Sequence, residues 1–491
     1  MARMKAILVR TTPSRSAQEA NDRCERLLGP ARRSARRAHA ALATTARSSA
    51  AFAALAIVQP ASPPLESAAP MTFKSVFIAV FLGTALIVAA LLINSRRPNV
   101  ERSQPSAALV SATGKCAECH RREASAVVHE FERSKHAQKG INCLDCHRPA
   151  QGQEGMDHRG FTIAKTLTSK NCAQCHAAEY EQFARSRHAG PSWAAVHGPK
   201  GFSPEQIAIG ERYHKGWIER PANPIGQLEG DTAIAAGCDA CHAVGKPNAD
   251  GSFGTCTNCH ARHVASVELA RLPSTCGQCH MGPDHSQIEI YGESKHGALF
   301  AAQRASMNLA ADPKRLGTAD MPVPTCATCH MSGLEGMKVT HDTTERLSWY
   351  LFAPISTRRP GGDRGQIEMK EVCLKCHTRG RIDAFFTNAE RVLAATNEKV
   401  QGAQAVMNAL RAEGLVTPKP FDEPIELAEF DLWHYYGRTA KHGAFMGGAD
   451  FVQWHGNYEL TRIRAEIDHE AEELRKAHGR PQPAPPAPRA P

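Results

Sequence analysis

Cys238-Asp-Ala-Cys-His242, Cys256-Thr-Asn-Cys-His260 and Cys276-Gly-Gln-Cys-His280 follow one another along a short stretch of the chain. The same Cys-x-x-Cys-His string occurs at Cys116-Cys119-His120, Cys143-Cys146-His147, Cys172-Cys175-His176, Cys326-Cys329-His330 and Cys373-Cys376-His377. These eight strings absorb all of the 17 cysteines but Cys24, which reads as incidental. Two thiols three residues apart can form thioethers with the two vinyl groups of one haem. The imidazole that follows then reaches the iron. Zinc sites would pool four ligands from two Cys-x-x-Cys units and need no His after each pair. A disulfide framework belongs to short stapled chains. Eight covalent c-type haems are therefore expected, one per motif.

That expectation decides the fold class. The chain has 491 residues and 42% hydrophobic residues, but only 6% are aromatic. Apolar porphyrin plates can supply the core that such a composition lacks. The reading is a mainly α fold with much irregular loop, a multihaem cytochrome c core wrapped around eight haems. Long C-terminal helices follow it. Phe386, Val392, Leu393, Val400, Val406 and Leu410 recur at helical spacing within residues 385–413, and Gly414 can end that helix. A second helix is expected over residues 458–478.

The net charge is +10, and seven of those charges lie in residues 1–70. Haem propionates would leave the body acidic, so no nucleic-acid surface is expected. Residues 1–70 read as a disordered extension or a start called too early. Residues 71–97 hold an apolar run from Val76 to Ile93 and read as a signal anchor or transmembrane segment. Residues 98–114 are a linker, 115–380 the octahaem core, 381–480 the C-terminal helical region and 481–491 a disordered tail. Haem attachment of this type takes place outside the cytoplasmic membrane. A periplasmic body held by one N-terminal helix is the expectation.

Histidine supplies candidate second ligands. His136, His188 and His296 sit in Ser-(Lys/Arg)-His strings. His263 follows His260 by three residues, and His158 and His341 lie between motifs. These six are the candidates for distal ligation; His197 and His442 are weaker ones. Asp284 and His285 are adjacent, a carboxylate beside an imidazole. Next to an open iron they could move protons; equally, His285 could be one more distal ligand.

The segment from Cys276 to His296 resembles the hydroxylamine oxidoreductase family of octahaem cytochromes. So do the Cys-His-Ala-Arg-His263 string, Thr340-His341-Asp342 with Trp349, and Lys441-His442-Gly443 leading into Gln453-Trp454-His455-Gly456. The likeness covers roughly residues 115–475. It implies a helical haem array, commonly a homotrimer, with seven bis-His haems. It also implies one five-coordinate catalytic haem at Cys238, Cys241 and His242, with Asp284 and His285 as the catalytic pair. Implied substrates are small nitrogen compounds such as hydroxylamine and nitrite. Oxidative members carry a tyrosine cross-linked to the catalytic haem. The corresponding position here holds Phe451, with Tyr435, Tyr436 and Tyr458 nearby. The expectation is reduction of nitrite or hydroxylamine toward ammonia, fed by a membrane or soluble cytochrome such as a quinol dehydrogenase. The alternatives are hydroxylamine oxidation and a non-catalytic electron conduit.

Overall fold

An i, i+3 pair of cysteines followed by His fits one turn of helix, because residues three and four apart share a face. The local sequence builds that turn repeatedly. Asn142 caps Cys143–His147, accepting from the Leu144 and Asp145 amides, and Asp145 returns a bond to the Asn142 amide. Thr325 and Thr328 form the same reciprocal box at Cys326–His330. Such boxes satisfy amides that open a helix without partners.

A computed structural model describes residues 81–85, 88 and 111–479. The chain divides into two units between Arg96 and Arg97, and all eight motifs lie in the second. The described residues are mostly helical, as the composition and motifs imply. No helix among them is long and apolar enough to cross a membrane. Most of the expected anchor, like the extension, most of the linker and the tail, lies outside the described residues.

Two small departures stand out. His158, between the second and third motifs, ends a strand: Gly155–His158 pairs antiparallel with Phe161–Ala164. Arg159 and Gly160 both have positive φ, 54° and 83°, as a two-residue hairpin turn of this kind requires. In addition, Ile234–Cys238, Leu432–Gly437 and Gln453–Tyr458 are π-helical. Such bulges gather at functional sites, and the first carries the fourth motif's leading cysteine.

The C-terminal region is built on one 35-residue helix, Arg379–Glu413, which starts directly after the eighth motif. Its buried residues are Ile382, Phe386, Ala389, Leu393, Thr396, Val400, Ala403, Met407 and Leu410. They alternate by four and three, the seam of a coiled coil. Gly414 ends the helix at φ 72°, a left-handed conformation that favours glycine. Leu460, Ile463, Ile467 and Ala471 of Glu459–Ala477 join the same core. Arg475 Nε and Nη2 donate to the two Glu413 carboxylate oxygens, each at 2.9 Å. Lys399 Nζ donates to Asn457 Oδ1 at 2.7 Å. Contacts at both ends run in the same chain direction, so the two helices pack parallel. Helix Arg438–Met446 lies against the long helix and carries its own buried face toward the motif region.

Candidate haem cavity and functional site

A branched cavity of about 3750 Å³ runs between the motifs. Fourteen of the 16 motif cysteines and all eight motif histidines line it. A single drug-sized ligand occupies about 300–1,000 Å³, so this space suits several large groups. Apart from the thiols and imidazoles its wall is largely apolar, with Val127, Val128, Leu334 and Phe386 among the lining residues.

The histidines are arranged as haem ligation demands. An iron bridged between two imidazoles by bonds of about 2 Å needs ring centres about 6 Å apart. His120 faces His158 at 6.1 Å, His176 faces His136 at 6.2 Å and His260 faces His341 at 6.4 Å. His280 faces His188 at 5.8 Å, with the two Nε2 atoms 3.5 Å apart, and His377 faces His296 at 5.9 Å. His263 lies near enough to His147 for its charge to be felt there. Burial, reinforced by neighbouring imidazoles, pulls His188 down to about 3 and His280 to about 4. These rings are therefore neutral, the form that binds a metal. Donor set, spacing and wall all fit c-type haem. Among the described residues no histidine ring faces His330 at such a spacing. His442 lines the cavity, fully buried against Phe352 at 4.6 Å. His197 is not directed at an iron: its Nε2 lies 2.6 Å from Asp239 Oδ1, inside the fourth motif.

The fourth motif has a different surround. His242 Nδ1 donates to the Ser192 carbonyl at 2.7 Å, which leaves Nε2 as the free ligand atom. Across from it stands His285, ring centres 6.3 Å apart and nearly perpendicular at 83°. Asp284 Oδ2 lies 2.6 Å from His285 Nδ1 and 3.8 Å from Arg438 Nη1. Burial pushes the Asp284 carboxyl up. The His285 bond and the charges of His285, His434 and Arg438 outweigh it, and the net position is below the ordinary range. The ionised carboxylate accepts, so Nδ1 of His285 carries a proton and Nε2 is its other nitrogen. Thr439 Oγ1 donates to the Pro283 carbonyl at 3.0 Å and contacts Ser286 Oγ at 3.2 Å. Helix Arg438–Met446 thus clamps the loop that carries the pair. Phe352 covers it, 4.9 Å from the His285 ring and held through Arg438 Nε donating to its carbonyl at 3.0 Å.

Residues 139–424, more than half the chain, match the family described as seven times multi-haem cytochrome CxxCH. The chain belongs to this multihaem cytochrome family. A probable nitrite reductase-hydroxylamine oxidoreductase fusion protein of Kuenenia stuttgartiensis is 25% identical over 354 residues, 63% of this chain. The chain spans about two fifths, 39%, of that relative's length. A solved hypothetical multiheme protein superposes with TM-score 0.65 at 22% identity, covering 78% of this chain and all of the other. The reducing HAO-like protein complex of Kuenenia stuttgartiensis gives TM-score 0.56 at 20% identity over 77% of this chain and 87% of that one. The cytochrome is therefore a multihaem c-type protein related to nitrite reductase and hydroxylamine oxidoreductase-like proteins, and a redox protein in general terms.

Thiol neighbours order the motifs of this cytochrome in space. Cys116 is felt at Cys143 and Cys172 at Cys146. Cys172 is felt at Cys256, and Cys276 at Cys259. Cys326 is felt at Cys276, and Cys373 at Cys329. The line runs first, second, third, fifth, sixth, seventh, eighth. The fourth joins it sideways, through Cys241 and Cys279 of the sixth. Sequence reasoning missed Ser192, Phe352, His434 and Arg438. Arg438 lies three residues before Lys441-His442, one helical turn from a string already singled out, and that spacing was the available signal.

Proposed function

We propose that this cytochrome is an octahaem oxidoreductase that reduces nitrite or hydroxylamine toward ammonia at the haem held by Cys238, Cys241 and His242. The observation that carries the reading is His285. Among the histidines whose rings face a motif histidine, it alone has a carboxylate at 2.6 Å, that of Asp284. When bound, the haem supplies electrons and a coordination position for the substrate nitrogen. Reducing these compounds consumes protons as well. An imidazole oriented by an ionised carboxylate is suited to deliver them. Asp284 fixes the His285 tautomer, Arg438 balances the carboxylate's charge, and Phe352 packs beside the ring. The other motif histidines with their facing partners serve as wiring.

The name of the reducing HAO-like complex supports the reductive direction, as does Phe451 where a cross-linking tyrosine would stand, whereas the fusion relative's name holds both a nitrite reductase and a hydroxylamine oxidoreductase. Phe451 is buried and stacks on His455 at 4.9 Å. The proposal includes a periplasmic body, an N-terminal anchor, a homotrimer and electrons from a quinol-oxidising cytochrome. Hydroxylamine oxidation is the alternative direction. The 6.3 Å spacing of His242 and His285 falls within the range of the other facing pairs. It favours a second reading, an electron conduit in which His285 ligates iron like the rest.

An optical spectrum of the purified holoprotein separates these readings. A high-spin component that shifts on adding nitrite or hydroxylamine is expected. A wholly low-spin spectrum indifferent to both compounds would establish the conduit, and a strongly red-shifted band in the reduced protein would mark the oxidative type.

A further inference from the structure

Beside the main cavity lies a small one of about 270 Å³, lined by Arg187, His214, Lys215, Trp217, Arg220 and Tyr350 among others. Arg187, Pro191, Arg220 and Tyr350 line both spaces. The two spaces therefore share a wall.

The charge at this junction is one-sided. The guanidinium carbons of Arg187 and Arg359 lie 5.5 Å and 5.1 Å from the Tyr350 ring centre. Arg359 and Arg220 both lie close enough to Arg187 for their charges to repel it. Lys215 and Arg220 are exposed, whereas Arg187 and Arg359 are half-buried. Among the described residues no carboxylate pairs with Arg187, Arg220, Arg359 or Lys215, and none of the three guanidinium groups has a hydrogen-bond acceptor. Asp342 lends partial counter-charge at Arg359 and at His214 without forming an ion pair with either, and its Oδ1 accepts from the Thr344 amide and hydroxyl at 3.0 and 2.6 Å. The row continues inward. Arg220 is felt at His434 and at Arg438, the group 3.8 Å from Asp284.

Like charges held together without a paired carboxylate on each are costly, and an anion relieves that cost. Planar guanidinium groups match planar oxyanions. We infer that Arg187, Arg220 and Arg359 around Tyr350 form an anion-binding gate that draws a small oxyanion such as nitrite from solvent toward Asp284 and His285. The inference rests on the proposed reductive function and narrows it, because a gate of this kind favours anionic nitrite over neutral hydroxylamine. A haem propionate carries the same carboxylate chemistry and is the rival occupant.

The test uses the full holoprotein and its R220Q and R359Q variants. Calorimetric titration of the oxidised protein with sodium nitrite reads binding without turnover. Loss of one charge-assisted contact should weaken nitrite binding roughly tenfold. The ratio of kcat/KM for nitrite to that for hydroxylamine should fall by a similar factor, and raising ionic strength should lower the same ratio in the wild type. Unchanged nitrite affinity in both variants would overturn the gate. So would unchanged affinity with a shifted haem midpoint potential, which would place a propionate there instead. If the wild type binds nitrite but turns over neither compound, the catalytic reading fails while the binding result still decides the gate.

Discussion

At the residue scale, the proposed chemistry rests on Asp284 and His285. An imidazole whose Nδ1 is bonded to a carboxylate at 2.6 Å keeps one tautomer and one orientation. Replacing Asp284 with Asn, or His285 with Ala, should reduce turnover of nitrite or hydroxylamine by roughly 10²–10⁴-fold, the usual contribution of a placed proton donor. Haem content should be unchanged, because neither residue belongs to a motif. Full turnover in both variants would exclude the pair from the reaction. The same carboxylate carries a stability signature. Its pKa in the folded chain lies below the ordinary value near 3.9, once burial is outweighed by His285, His434 and Arg438. A depressed carboxylate pKa stabilises the fold above the unfolded value, and that contribution is lost as pH falls through the folded one. Melting temperatures of wild type and D284N should therefore differ above about pH 4 and converge in more acidic solution. A constant offset down to the most acidic point would show that the pair adds no pH-linked stability. Asp284 and His285 were legible as neighbours in the chain. The groups around them were not: Arg438 reaches Asp284 from 154 positions further along and Phe352 reaches His285 from 67, a proximity no local pattern encodes.

At the scale of elements, the motifs were legible because covalent haem attachment fixes their spacing, whatever the fold around them. The long helix was legible only in part. Phe386, Leu393, Val400 and Leu410 announce its buried face, whereas Ala389, Thr396 and Ala403 share that face without being large or apolar enough to signal it. Its strict four-three alternation emerges only once those small residues are placed. The loop after the fourth motif shows the opposite case, in which a residue with no side chain sets the geometry. A Cβ on Gly245 would stand 1.9 Å from the Ala189 carbonyl oxygen and 2.8 Å from that of His188. Both contacts are backbone and cannot swing aside. The close approach joins the segment that carries His242 to the segment that carries His188. Gly245→Ala should therefore separate the two and disturb ligation at both the fourth and sixth motifs. The expected result is a lower melting temperature, with a new high-spin fraction in the spectrum of the variant. An unaltered spectrum and melting temperature would mean that the approach is looser than its geometry states.

At the scale of the whole molecule, the order of the thiols gives the motifs unequal roles. Seven form a line and the fourth branches from the sixth, so under the proposed function electrons from either end of the line would reach the branch through the sixth motif. The line starts at the first motif, Cys116-Cys119-His120, which precedes the matched segment at residues 139–424. It has its own short helix, Lys115–Glu123, its own small apolar cluster around Ala117 and Val128, and a facing His158 supplied by the hairpin. Each of these is a local device, and none is needed to shape the fourth motif. Replacing Cys116 and Cys119 together with Ser should consequently remove one covalent haem and leave the rest attached. The intact mass should show eight haems in the wild type and seven in the variant. If the first motif is a port for electrons, the variant should keep the nitrite-induced spectral change while turning over more slowly with its physiological donor. With a small reductant that can donate anywhere along the line, turnover should be nearly that of the wild type. A wild-type mass corresponding to seven haems would remove the first motif from the array. Equal slowing with both donors would show that its haem supports the site rather than feeding it.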